Sequence, residues 1–227
     1  MNRDPENQLW AHGPRHRLSA ETVRDQALAA AGLVDARIGG PSVRPYQPAE
    51  LWRELAYNPD EYTAQVFVPS HGADLYRRSV YTFWKRSVPP PNLSLLDAPD
   101  RESCTVARGR SNTPLAALVL LNDTTFVEAA RKLAERVLRE AGPTDEQRIE
   151  WLLLIVLARQ PSDRERTLLT NQLAAERAEF RRDPAAAKEL LAVGDSPSNP
   201  LLDPVEHAAW TMIASLVLNL DETVNLR

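Results

Sequence analysis

The chain has 227 residues, of which 43% are hydrophobic and 26% are charged, a composition typical of globular proteins that excludes a disordered chain. The net charge of −4 gives no general electrostatic reason to bind nucleic acid or an anionic membrane surface. The single cysteine, Cys104, excludes an internal disulfide framework and a multi-thiolate metal site.

Prolines divide the chain into two parts. Ten of the 18 prolines lie between Pro41 and Pro114, and only two lie between Leu115 and Asp183. Because proline interrupts helices and central strands, we predict one mainly α domain over residues 1–227. It contains a first helix at 19–34, an irregular proline-rich layer at 41–113 and a helical scaffold at 114–222.

The first predicted helix begins after Ser19, a good N-cap, and its apolar residues recur at helical spacing up to Val34. Gly39, Gly40 and Pro41 are expected to end it. A short helix is predicted at 49–56, with Pro48 near its first position.

The segment 78–85 is rich in β-branched and aromatic residues, which suit a strand. Its apolar residues also fit one helical face, so the periodicity leaves both structures open. We predict a small sheet of two or three strands that pairs this segment with residues 65–68 or 105–108. The prolines at positions 89–91 end the segment in either case.

The second half of the chain predicts a series of helices, each preceded by a Ser, Thr or Asp N-cap. Two of these caps each form part of a capping box: Thr144 with Gln147, and Ser162 with Glu165. The predicted caps are Thr113, Asp123 or Thr124, Thr144, Ser162, Asp183 and Asp203.

The charged segment 97–114 leads to a predicted helix N-terminus, where free backbone N–H groups favour anions. With the basic and aromatic residues before it, this segment suggests a pocket for an anionic polysaccharide. The predicted ligand-binding residues are Arg77, Arg78, Trp84, Arg86, Asp100, Arg101, Arg108, Arg110 and Asn112. The alternative, which we favour, is a structural network in which Asp97, Asp100 and Glu102 pair with these arginines and support an irregular backbone.

Other candidate residues point to no reaction. His12 and His16 are four residues apart, but the Gly-Pro between them disrupts a helix and too few ligands are present for zinc, so we predict no metal site. His207 is interpreted as an interface or partly buried histidine, and Cys104 as a buried thiol rather than a reactive one. The sequence contains no nucleophile elbow, dinucleotide-binding or phosphate-binding loop.

Targeting signals are also missing from the sequence. The polar N-terminus has no signal-peptide apolar region, and the longest apolar run, residues 151–158, is too short to span a bilayer.

Several segments resemble one known family, planctomycete-specific domain one, a domain of unknown function. They are the Arg-Leu-Ser-Ala-Glu-Thr-Val-Arg stretch from Arg17, the Gly-Gly-Pro stretch from Gly39, and the Tyr-Arg-Arg-Ser-Val-Tyr-Thr-Phe-Trp-Lys-Arg stretch from Tyr76. The similarity continues through segments 97–102, 112–123, 208–211 and 218–222. The resemblance therefore covers nearly the whole chain.

The resemblance implies a C-terminal module of exported (periplasmic or cell-surface) multidomain proteins that carry an N-terminal cytochrome-c-like domain. Haem c is then expected only in that domain and no cofactor in this chain, which we interpret as a fragment. No catalytic residues are established for the family, so none is assigned here. We expect the other domains of the full-length protein to be its partners, with anionic polysaccharide as the alternative.

Overall fold

The computed structural model describes residues 8–10, 13, 16–55 and 66–226, and it confirms a mainly α protein. Within these residues the helices vary from one turn to more than five turns. They are α1 (Ala20–Ala30), α2 (Leu51–Glu54), α3 (Pro91–Leu95), α4 (Pro114–Asn122), α5 (Thr124–Glu140), α6 (Asp145–Leu157), α7 (Asp163–Arg182), α8 (Pro184–Leu191), α9 (Pro204–Leu218) and α10 (Asp221–Val224).

The centre of the fold is the contact between α5 and α9, the most extensive between any two elements. Small residues such as Ala129, Ala130, Ala208 and Ala209 are completely buried and allow these helices to approach closely. Trp210 is also completely buried in α9. The helices α7 and α8 pack on α9, and α1 packs on α5, so that one apolar core extends across the helical scaffold.

The predicted helix caps of the scaffold are confirmed. Thr113, Asp123, Asp183 and Asp203 each accept a backbone N–H with the side chain. Both predicted capping boxes, at α6 and α7, are present with their reciprocal bonds.

The end predicted for the first helix is wrong. Helix α1 ends at Ala30 rather than Val34, because Gly32 adopts a positive φ of 71° and the chain turns back. The N–H groups of Leu33 and Val34 then bond to the carbonyl of Leu28. The second helix is also shorter than predicted, and the predicted end at residue 56 lies outside the described residues.

The strand predicted at 78–85 is wrong. Residues Ser79–Tyr81 form a short 3₁₀ helix instead, and another 3₁₀ helix, Gly72–Tyr76, precedes the segment. An isolated bridge between Val43 and Thr82 follows. The proposed partners fail as well, since residues 66–68 and 105–108 form no strand and residue 65 lies outside the described part. The prolines at 89–91 do more than end the segment. Pro91 is the first residue of α3 and Pro90 is its N-cap, because proline is compatible with the first helical turn.

The small sheet has two strands, as predicted, but it lies elsewhere. Strand β1 (His16–Arg17) pairs antiparallel with β2 (Asn225–Leu226), and the N–H of Leu18 bonds to the carbonyl of Val224. This pairing places Arg17 beside α10, more than 200 residues further along the chain.

Candidate functional site

Arg77 is buried against the loop that follows α1. Its guanidinium donates to the carbonyls of Pro41, at 2.7 Å, and of Gly39, and it lies 3.8 Å from the ring centroid of Tyr81. The Tyr81 hydroxyl in turn accepts the N–H of Gly39 at 2.7 Å, which lowers the pKa of Tyr81. Arg77 therefore holds the loop in place rather than facing a ligand.

Trp84, Asp100 and Arg101 are the predicted site residues that the structure brings together. The indole N–H of Trp84 donates to the carbonyl of Asp100 at 2.7 Å, and the guanidinium of Arg101 lies 4.5 Å from the Trp84 ring centroid. The Arg101 guanidinium therefore occupies the face of the Trp84 ring on which a sugar would have to stack.

The remaining predicted arginines contact different parts of the chain. Arg78 lies 5.8 Å from the Tyr81 ring centroid, and its buried Nε has no hydrogen-bond partner in the described part of the chain. Arg86 is 3.8 Å from Glu102, and Arg108 is 2.9 Å from Glu21 in the first turn of α1. Arg110 is exposed.

Three further expectations can be compared with the structure. The prediction of a buried Cys104 thiol is wrong, because Cys104 is exposed. His207 is more buried than expected, at 1% exposure, and burial lowers its pKa. His12 lies outside the described residues.

Asn112, the last predicted site residue, lines a pocket of about 130 Å³ at the start of α4. The same pocket is lined by Arg17 of β1 and by Asn219 and Asp221 near α10. Most of its remaining wall is aliphatic, from Val23, Leu96, Ala116, Ala117, Leu120 and Val224.

Arg17 is the charged group of this pocket. Its side chain is only 5% exposed, and its Nη2 donates to the carbonyl of Leu96 at 2.9 Å and to the carboxylate of Asp97. Asp97 also accepts the hydroxyl of Ser111 at 2.9 Å. Among the residues that the structure describes, Nε and Nη1 of Arg17 have no hydrogen-bond partner.

Comparison with known protein families shows to which family the chain belongs. The family model PSD1, a protein of unknown function (DUF1553), matches residues 1–173. The chain belongs to this family. No curated protein and no solved structure matches it. The PSD1 match confirms the suspected domain one, and it ends within α7. The pocket residues Asn219, Asp221 and Val224 therefore lie outside the matched part.

The PSD1 chain also contains a buried polar cluster that sequence reasoning missed. The carboxylate of Glu128, in α5, accepts the hydroxyls of Tyr46 at 2.9 Å and Tyr76 at 2.8 Å and the N–H of Ser196 at 2.7 Å. Burial, together with this carboxylate, raises the pKa of Tyr46 and raises the pKa of Tyr76 to about 12. Both phenols are therefore neutral donors at physiological pH.

One helical turn further on, Arg131 is completely buried and donates to Ser198 at 2.9 Å and to the carbonyl of Ser196 at 2.6 Å. Glu128 and Arg131 thus fix the loop that follows α8. Gly194 makes this possible, since its φ is +92° and a Cβ there would overlap the Glu128 side chain. Glu128 and Arg131 are buried in α5 because this distant loop covers them, so no local sequence signal identifies the cluster.

In the described part of the chain, no group of three or more His, Cys, Asp or Glu side chains could hold a metal ion. None of the helices described there is long and apolar enough to cross a membrane.

Proposed function

We propose that this PSD1 chain is a non-catalytic helical module that docks onto other domains of an exported, cytochrome-linked multidomain protein. The observation that carries the proposal is the exposed apolar face of α4. In this proposal haem c belongs to the cytochrome domain, and the module supplies a binding surface.

Helix α4 is apolar on all sides from Pro114 to Leu121. Only Ala116 and Leu120 are buried in the core, whereas Leu115, Leu118 and Leu121 are 55%, 52% and 43% exposed. Leu216 of α9, the helix that packs against α4, is also exposed. Contiguous apolar side chains in contact with water are typical of a surface that another protein covers.

The contacts of the arginine-rich segment support a structural role for that segment, although the predicted pairing is largely wrong. Of the three predicted carboxylates, Glu102 lies beside a predicted arginine, Arg86, whereas Asp97 pairs with Arg17 and Asp100 accepts the N–H of Glu102. Arg77 binds backbone carbonyls, Arg86 and Arg108 lie beside carboxylates, and Arg101 covers Trp84. Arginines that are already paired have less to gain from an anionic ligand.

The docking proposal is tested by mixing the purified chain with the cytochrome-containing part of a family member at micromolar concentration. We expect the two to co-elute in size-exclusion chromatography. Leu118→Asp should abolish co-elution, because a carboxylate would be buried without a partner at the interface.

The matched control is Leu168→Asp, on α7. Leu168 is 58% exposed, a value similar to the 52% of Leu118. This variant therefore adds the same charge at a similar exposure and should still co-elute. Independent elution of the wild-type chain, or equal loss in both variants, would contradict docking through α4.

Binding of anionic polysaccharide is a second candidate, favoured by the exposed Arg110 beside Arg108 in the segment 97–112. Calorimetric titration with a sulfated polysaccharide is expected to show salt-sensitive binding that Arg110→Gln weakens, if this candidate is correct. Arg181→Gln, at an exposed position on α7, is the matched control. Absence of salt-sensitive heat removes this candidate and leaves the docking proposal unaffected.

A further inference from the structure

We propose that the pocket between α8, α9 and the loop that joins them binds the free C-terminal end of a peptide whose last residue has an aliphatic side chain. The pocket has a volume of about 480 Å³, which lies within the range of sites that enclose small ligands. Its described lining contains no residue of α4, so the proposal is independent of the docking surface.

His207 of α9 provides a hydrogen-bond acceptor at this pocket. It lines the pocket although its side chain is only 1% exposed, and its Nε2 bonds to the carbonyl of Arg131 at 3.0 Å. Because a carbonyl can only accept, Nε2 carries the hydrogen. Desolvation lowers the pKa of His207, so the ring is neutral at physiological pH and Nδ1 carries a lone pair.

The lone pair of Nδ1 is available to a ligand. Nδ1 has no hydrogen-bond partner in the described part of the chain, and it is not sealed from solvent as the unpartnered Nε of Arg131 is. An acceptor in such a restricted position gains most from a ligand that brings an N–H or O–H group.

Lys188 and Asn199 supply donors at the same pocket. Lys188, in the last turn of α8, is exposed, and its ammonium group has no partner among the described residues. The side-chain oxygen of Asn199 accepts the N–H of Leu201 at 3.0 Å, which leaves the amide N–H₂ of Asn199 for a ligand. A carboxylate is the ligand group that both donors favour.

The other charged residue of the lining, Asp195, is already engaged. Its carboxylate accepts the N–H of Gly72 at 2.8 Å and lies 3.4 Å from Nδ1 of His71. The bond from Gly72, followed by the contact with His71, lowers the pKa of Asp195. Lys188 is therefore the charged group that can still form a close contact with a ligand.

The rest of the lining favours an aliphatic side chain. It consists mainly of Leu191, Ala192, Pro197, Pro200, Leu202 and Pro204. An aliphatic side chain buries apolar area against these residues, whereas a sugar finds no aromatic ring in the described lining on which to stack. The last residue of a peptide carries an N–H, a carboxylate and a side chain on one Cα, so it matches the acceptor, the donors and the apolar wall together.

Matched probes separate the three contacts. Acetyl-Ala-Ala-Leu carries all three groups, and saturation-transfer NMR on the whole chain should show its saturable binding. Its C-terminal amide should bind about threefold more weakly, as loss of an exposed ion pair predicts. The same peptide ending in N-methylleucine should bind at least about fivefold more weakly, because the acceptor of His207 then has no donor. N-acetyl-L-leucine should also bind more weakly than the tripeptide, because the two alanines cover additional apolar surface.

Two pairs of variants locate the site. Ala192→Trp places a bulky side chain in the pocket from an exposed position and should remove the signal. Ala185→Trp, at an exposed position of α8 outside the lining, should leave the signal unchanged. Lys188→Gln should abolish the preference for the free acid over the amide, whereas Arg181→Gln, at an exposed position of α7, should retain it. All four positions are exposed, so none of these changes disturbs the core.

Four results would overturn the proposal. The first is no saturable binding of the tripeptide, and the second is equal binding of its acid, amide and N-methyl forms to the wild-type chain. The third is binding of N-acetyl-L-leucine as tight as that of the tripeptide, which would assign the pocket to a single acylated residue instead of a chain end. The fourth is an equal effect of the two members of either variant pair.

Discussion

Arg24 shows how single buried residues organise the proline-rich layer. Its guanidinium donates to the carbonyls of Leu75, at 2.7 Å, and Arg77, at 3.0 Å, and to the hydroxyl of Ser79 at 3.2 Å. Asp25 lies 3.6 Å away and supplies the opposite charge. Desolvation by burial lowers the pKa of Arg24. One arginine of α1 thus replaces the ladder hydrogen bonds that a sheet would provide in this region.

Replacing this residue tests the explanation. Arg24→Met should lower the free energy of unfolding by about 3–5 kcal/mol, because it leaves two buried carbonyls without their donor and removes the positive charge beside Asp25. The measurement is urea denaturation followed by circular dichroism. Arg181→Met, at an exposed position of α7, should change stability by less than about 0.5 kcal/mol. Similar losses in the two variants would contradict the role given to Arg24.

The contacts among α5, α9 and the loop after α8 connect the secondary-structure elements through buried polar groups. His207 of α9 donates from Nε2 to the carbonyl of Arg131 in α5, at 3.0 Å. The nearby charged groups are Glu135, which raises the pKa of His207, and Arg131 and Lys132, which lower it. Desolvation is the largest effect, so the folded protein holds this histidine neutral.

The direction of this shift predicts a pH dependence. Because the folded pKa lies below the ordinary value of about 6.5, the unfolded chain binds more protons as the pH falls. Stability from neutral His207 is therefore complete above about pH 6.5 and decreases as the pH falls below it. Urea denaturation at about pH 7.5 and pH 5.5 should show this loss.

His207→Gln keeps a donor for the Arg131 carbonyl but does not titrate, so it should reduce the loss between the two pH values. His71→Gln is the control, because His71 is 74% exposed. An equal pH dependence in wild type and His207→Gln would show that His207 is not the titrating group.

Elements differ in how far the sequence predicts them. Caps depend on residues three or fewer positions apart, and the caps of the scaffold helices were predicted correctly from Thr113 to Asp203. The segment 78–85 was mispredicted because its conformation depends on Arg24, more than 50 residues earlier in the chain. Its periodicity fits a strand and a helix equally, and only the tertiary contact decides.

The whole molecule adds information that no segment contains. The pocket is lined by Arg17, Asn112 and Asp221, which lie near the start, the middle and the end of the chain. The pairing of β1 with β2 brings Arg17 next to the C-terminal residues. Asn112 was predicted as a site residue from its loop, whereas Arg17 and Asp221 carry no local signal. The PSD1 family assignment was predictable from long motifs, and its unknown function leaves the docking role as a proposal.

Hydrogen–deuterium exchange of the complex with the cytochrome-containing part of a family member tests the central claim most directly. If α4 is the docking surface, the amides of residues 115–122 should exchange more slowly in the complex than in the free chain. The amides of α7 near Leu168 should exchange at the same rate in both. Unchanged exchange in α4, with slower exchange elsewhere or nowhere, would contradict the account.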